Sequence, residues 1–203
     1  MKSRFLKLLN GISCPIELKK LDYKDLVCLA EEIRQMMISV ISRTGGHLSS
    51  NLGVVELTIA LHYVFDFAYD RLLWDVGHQC YTHKMLTGRA RKFYSLRKHG
   101  GISGFPNPEE SKYDQFLVGH AGTAIASAVG LALGSQQRQT NEKIVTVVGD
   151  ASIVNGLSFE GLNNTSLVKR QLLIILNDNS MAIDKTKGIL ARTYPKTSIF
   201  ELM

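Results

Sequence analysis

Two apolar runs constrain this chain more than any other feature. Ile144-Val145-Thr146-Val147-Val148 closes on Gly149-Asp150, and Leu172-Leu173-Ile174-Ile175-Leu176 closes on Asn177-Asp178-Asn179, with a helical segment from about Leu157 to Thr165 between them. Apolar runs without regular polar alternation, the first of them β-branched, suit strands buried on both faces. A strand–helix–strand order makes such strands parallel, because crossovers are right-handed and return the chain to the same sheet. The fold class expected is therefore α/β, a parallel sheet with helices on both faces, with strands near 72–76, 144–149 and 172–177. Ligands of such sheets collect outside the carboxyl ends of the strands.

The rest of the chain fits that frame. Asp22, with Asp25 three residues on, reads as a helix N-cap, and Leu26, Leu29, Ile33, Met37 and Val40 follow at helical spacing. The turn Thr44-Gly45-Gly46-His47-Leu48-Ser49-Ser50-Asn51 leads into a mostly apolar helix from about Val54 to Phe65. Leu72-Leu73-Trp74 ends at Asp75-Val76-Gly77-His78, before a helical segment from Thr82 to Leu86. Phe116-Leu117-Val118 ends at Gly119-His120-Ala121-Gly122-Thr123. Each polar cluster is expected at the carboxyl end of a strand. The helix from Thr123 to about Arg138 carries Ile125, Val129 and Leu133 on one stripe, and its Ala and Gly residues keep it slim enough to pack close to a sheet. With no repeat, linker or low-complexity tract, residues 1–203 are expected to form one domain.

Several classes are disfavoured. The net charge of +6 is spread along the chain without an aromatic-interleaved basic motif, so nucleic acid is not the expected partner; a basic surface equally attracts acidic metabolites. Cys14, Cys28 and Cys80 are too few and scattered for a disulfide framework or closed zinc site, which suggests a reducing compartment. The basic start of the chain is interrupted by Lys7 and Asn10 before reaching the length of a signal sequence. No run of about eighteen apolar residues suggests a membrane span. A cytoplasmic protein is expected.

The two C-terminal clusters are rich in oxygen. Asp150 offers charge and Asn179 an amide oxygen, and strands joined by one crossover bring them near each other, as a hard cation such as magnesium requires. Taken singly, each has a plainer reading: Asp150 as a cap of the following helix, and Asn177-Asp178-Asn179 as a polar turn.

Together the clusters resemble the metal and diphosphate signature of thiamine-diphosphate enzymes. The stretches Ser42–His47, Leu52–Phe65, Asp75–Gln79, Leu86–Arg89 and Ile175–Asn179 are similar to the 1-deoxy-D-xylulose-5-phosphate synthase family, over about residues 20 to 185. The resemblance implies a thiamine-diphosphate-binding fold in which Asp150, Asn179 and the backbone carbonyl of Met181 hold Mg2+. It also implies that Gly119, His120, Ala121, Ala151 and Ser152 line the diphosphate, that His78 touches the cofactor, and that His47 assists proton transfer near the reacting carbon. Without it, both histidines read as satisfied turn residues. The activity implied is condensation of pyruvate with glyceraldehyde 3-phosphate with loss of carbon dioxide, the first step of non-mevalonate isoprenoid synthesis, by an enzyme that is a homodimer in the family.

Two departures from the family pattern stand out. Ala121-Gly122 replaces a usual Ser-Ser, removing a hydroxyl. Ala151 replaces a usual glycine, which matters only where that position needs positive φ. The family's chain is also much longer. The glutamate that activates the cofactor ring, and the groups that grip the substrate phosphate, have no counterpart here. The chain is therefore expected to be inactive alone, either completed by further sequence or a second subunit, or a non-catalytic remnant that binds magnesium and a diphosphate.

Overall fold

A computed structural model describes residues 6–169, 172–178 and 198–202 of the chain. They cluster into two compact units, one of residues 6–68 with 78–117 and one of residues 69–77 with the described residues from 118 onward.

The first unit is helical: α1 (Lys7–Gly11), α2 (Pro15–Leu18), α3 (Tyr23–Thr44), α4 (Leu48–Leu52), α5 (Val55–Val64) and α6 (Tyr81–Lys84). A π-helical turn, Met85–Arg89, and a 3-10 helix, Ala90–Ser95, follow α6. Asp22 caps α3 as expected, its carboxylate accepting the Asp25 N–H at 2.8 Å. α3 buries Leu29, Ile33, Met36, Met37, Val40 and Ile41, and it stops at Gly45 (φ 72°), whose N–H returns to the Ile41 carbonyl. The segment read as a plain turn contains α4, a single helical turn. Of α5, Val55, Thr58, Ile59, Leu61 and His62 are buried.

This unit also contains a buried polar network. His62 Nε2 lies 2.9 Å from His83 Nδ1, and His83 Nε2 lies 2.9 Å from an Asp114 oxygen. Arg89 donates two bonds to the same carboxylate, at 2.6 and 2.8 Å. Lys84, fully buried, donates to Glu110 at 2.6 Å. Burial is the main influence lowering the pKa of both histidines, although Asp114 opposes it at His83. Neutral His83 thus donates Nε2–H to Asp114 and accepts at Nδ1 from His62 Nε2–H.

The second unit is a four-stranded sheet in the order β1 (Arg71–Trp74), β2 (Ile144–Gly149), β3 (Leu172–Asn177), β4 (Ser198–Leu202). β1, β2 and β3 are parallel and fall where the sequence put them. β4 is an addition, antiparallel to β3. α7 (Ala124–Arg138) lies on one face, where Ile125, Ala128, Val129 and Ala132 pack with Leu73, Ile144, Val148, Leu172, Ile174 and Leu176. Each large aliphatic side chain buried there stabilises the fold by about 1.5–3 kcal/mol. The other face carries Leu72, Trp74, Val145, Val147 and Ile175, all buried. The β2–β3 crossover contains α8 (Asp150–Ile153), α9 (Gly156–Asn163) and a 3-10 turn, Asn164–Leu167. α7 is slim enough for α9 to approach closely: a Cβ at Gly161 would stand 2.8 Å from the Ala126 nitrogen. Among the described residues no helix is long and apolar enough to cross a membrane.

Candidate cofactor site

The candidate residues fall into two clusters. In the helical unit, Gly45 and Gly46 (φ 140°) turn the chain out of α3, and His47 becomes the N-cap residue of α4. Its ring meets that of His78 edge-on, with centroids 5.2 Å apart, and that of Phe105 at 6.2 Å. The Tyr81 hydroxyl accepts the His47 N–H at 3.5 Å. Burial raises the Tyr81 pKa, opposed by this bond and by one from the Arg97 side chain. Partial burial lowers the pKa of His47, and the positive charge of Arg97 lowers it further. Arg97 is itself held at φ 59°. Asn51, fully buried, donates from Nδ2 to the His47 carbonyl at 2.6 Å and to the His78 carbonyl at 2.8 Å, while its Oδ1 accepts the Tyr81 N–H at 2.9 Å. The sequence pairs neither His47 with His78 nor either with Asn51, Tyr81 or Arg97. The only signal was that Gly45-Gly46 and Gly77 left the two histidines on loops.

The second cluster lies at the carboxyl ends of the strands. In the β2–β3 register Gly149 is paired with Asn177, so Asp150 and Asp178 step off adjacent parallel strands at the same level. Asp150 is the first residue of α8, whose N-cap is Gly149, so it stands one position inside the helix rather than at the cap of the plainer reading. Ala151 is exposed and helical and is absent from the positive-φ residues, so alanine there carries no backbone penalty. Ser152 is buried, and its carbonyl accepts the Ser158 hydroxyl at 2.7 Å. Beyond β1, Gly77 N–H closes a three-residue turn onto the Asp75 carbonyl at 2.6 Å, with Val76 at φ 58°.

One expectation is corrected. Phe116-Leu117-Val118 forms no strand; Phe116 and Leu117 are 40% and 73% exposed, so the triplet has no buried face to reward sheet pairing. Gly119 (φ 154°), His120 and Ala121 follow it as an exposed irregular segment leading into α7. Gly122 (φ 88°) can only be glycine: a Cβ there would lie 2.6 Å from Asn155 Cγ. The Ala121-Gly122 departure thus has a steric basis in this chain.

Asn179 and Met181, the other expected magnesium ligands, lie outside the described residues. Among the described residues no group of three or more His, Cys, Asp or Glu side chains gathers to hold a metal. The expected set takes only Asp150 from that part of the chain. The donors at the two strand ends, Asp150, Asn177 and Asp178, are all oxygen, which fits magnesium rather than a soft metal.

A parallel α/β sheet with oxygen-rich clusters at its strand ends defines an α/β protein of the kind whose ligands collect outside the carboxyl ends of the strands. Comparison with known proteins identifies which. The family model described as 1-deoxy-D-xylulose-5-phosphate synthase matches residues 9–201. A 1-deoxy-D-xylulose-5-phosphate synthase from Azobacteroides pseudotrichonymphae is 53% identical over 93% of the chain. Relatives of the same name from Methylacidiphilum infernorum and Porphyromonas gingivalis are 51% and 50% identical over 94% and 95% of it. The chain belongs to the 1-deoxy-D-xylulose-5-phosphate synthase family, whose members are thiamine-diphosphate-dependent transferases. It spans about 30% of the length of these relatives.

Proposed function

We propose that this chain supplies the diphosphate- and magnesium-binding part of a 1-deoxy-D-xylulose-5-phosphate synthase, which condenses pyruvate with glyceraldehyde 3-phosphate and releases carbon dioxide. The observation that carries the reading is the pairing of Gly149 with Asn177, which sets Asp150 beside the Asn177-Asp178 end of β3. In this role Asp150 offers the charged oxygen to Mg2+, and Asn179 and the Met181 carbonyl complete the protein ligands. Gly119, His120, Ala121, Ala151 and Ser152 line the diphosphate. His78 contacts the cofactor, and His47, neutral at physiological pH, moves a proton near the reacting carbon. When bound, thiamine diphosphate supplies the carbon nucleophile and electron sink that amino-acid side chains lack. The same proposal takes residues 1–203 as one cofactor-binding domain of a cytoplasmic homodimer with no nucleic-acid or membrane partner. The free cysteines Cys14, Cys28 and Cys80 agree with a reducing compartment.

Calorimetric titration of thiamine diphosphate into the chain tests the proposal. Heat that requires Mg2+ and disappears in Asp150→Ala is expected, because neutral oxygens cannot offset the ion's charge beside a diphosphate. Unchanged magnesium-dependent affinity in that variant would overturn the metal assignment. Turnover of pyruvate and glyceraldehyde 3-phosphate by these 203 residues alone would overturn the view that they supply only part of the site.

A further inference from the structure

Two loops deliver the histidines, and each has a backbone of unusual freedom or strain. His47 follows Gly45 (φ 72°) and Gly46 (φ 140°), and His78 follows Val76 (φ 58°) and Gly77 (φ 81°). The His47 loop ends at the N-cap of α4, and the His78 loop follows β1. His47 is also an exposed residue overall. Yet the rings meet edge-on, 5.2 Å between centroids. Catalytic geometry of that kind has to be held to a fraction of an ångström, and neighbouring hydrogen bonds are the usual means.

We infer that Asn51 is a positioning residue that clips the His47 and His78 loops together and thereby sets the relative placement of the two rings. One carboxamide bonds to both loops. Nδ2 gives one proton to the His47 carbonyl at 2.6 Å and the other to the His78 carbonyl at 2.8 Å. Its acceptor is fixed by the Tyr81 N–H at 2.9 Å, at the start of α6. Three bonds to three backbone groups leave a fully buried amide one orientation, with both donors and its oxygen engaged. Tyr81 supports the arrangement from the other side, since its hydroxyl accepts the His47 N–H at 3.5 Å. No other residue type has this shape with two donors and one acceptor: Asp lacks the donors, Leu lacks all polar atoms, and Gln carries the amide one methylene further out. The inference rests on the proposed cofactor role of the two histidines, because their spacing matters to the reaction only in that role.

The test uses the full 203-residue chain with labelled histidine and asparagine, observed by NMR without cofactor. In the unmodified chain a nuclear Overhauser contact between the His47 and His78 rings is expected, and the Asn51 side-chain amide protons should exchange with solvent far more slowly than those of exposed Asn141. Asn51→Leu and Asn51→Asp should each weaken the ring contact several-fold, with the amide spectrum of the β-sheet unchanged. Asn51→Asp is the sharper variant, since it keeps the acceptor for Tyr81 while replacing the two donors with an oxygen that repels both carbonyls. A folded variant that retains the full ring contact would overturn the inference. So would fast exchange of the Asn51 amide protons in the unmodified chain, a result that decides the matter even when neither variant folds. Failure of thiamine diphosphate and Mg2+ to move the His47 and His78 signals would instead sink the functional reading and leave the clip standing.

Discussion

The Asp75 carboxylate accepts the Gly122 N–H with both oxygens, at 2.9 and 3.1 Å, and one of them also accepts the Ala124 N–H at 3.0 Å. A buried acid at the end of β1 thus anchors the start of α7, satisfying amides that a helix leaves without intrahelical partners and complementing its dipole. Asp75→Ala should lower stability by about 2–4 kcal/mol, since charge-assisted bonds to buried amides contribute about 1.5–3 kcal/mol each and part of the loss is recovered by water. Urea unfolding monitored by circular dichroism measures it. A loss below 1 kcal/mol would mean that the carboxylate does not hold α7.

Val76, next in sequence, is a β-branched residue in left-handed geometry, closing a turn in which Gly77 bonds to Asp75. Relief of that strain predicts that Val76→Gly raises the stability of the chain by up to about 1 kcal/mol, the left-handed cost exceeding the added entropy of glycine. A clear decrease in the urea midpoint would show instead that packing of the Val76 side chain outweighs its backbone strain.

The buried network makes stability depend on pH in one direction. His62 and His83 are held below the ordinary histidine pKa chiefly by burial, so as pH falls the unfolded chain takes up protons first, from about pH 6.5 downward, and stability drops. Burial pushes Asp114 upward, but the bonds from Arg89 and His83 outweigh it and hold its pKa well below the usual carboxylate range. Its contribution is therefore present above about pH 4 and lost as pH falls further. Urea midpoints measured from pH 8 to pH 4 should decline below about pH 6.5 and more steeply near pH 4. Asp114→Ala, which leaves Arg89 and Lys84 as buried cations without it, should cost about 3–5 kcal/mol at pH 7. Midpoints that rise on acidification would contradict the neutral state of both histidines.

His47 should titrate below the ordinary value near 6.5, and Arg97→Met should move its midpoint partway back, because burial is the larger cause and the Arg97 charge the smaller. In the proposed reaction the acid limb of activity would follow that midpoint. His47→Ala should leave magnesium-dependent cofactor binding intact and reduce turnover of the completed enzyme by about 10² to 10⁴. NMR titration and calorimetry separate the two statements; equal losses of affinity and turnover would make His47 a binding residue.

The sequence alone determined what depends on local pattern. The runs 144–149 and 172–177 lacked polar alternation and became buried parallel strands, Asp22 capped α3, and the apolar stripe from Ile125 placed α7 on the sheet. The residue types of the candidate site were legible too: Asp150 at the end of β2 and the two histidines on glycine-bearing loops. Tertiary structure decided which residues meet. The Gly149–Asn177 register, the reach of Asn51 to the His78 loop and the closure of His62, His83, Asp114 and Arg89 each join groups far apart in sequence. It also left Phe116-Leu117-Val118 outside the sheet and added β4 as an antiparallel edge. Hydrophobic periodicity is a property of a single segment, whereas a hydrogen bond between distant residues forms only once packing has fixed both partners to within a few tenths of an ångström.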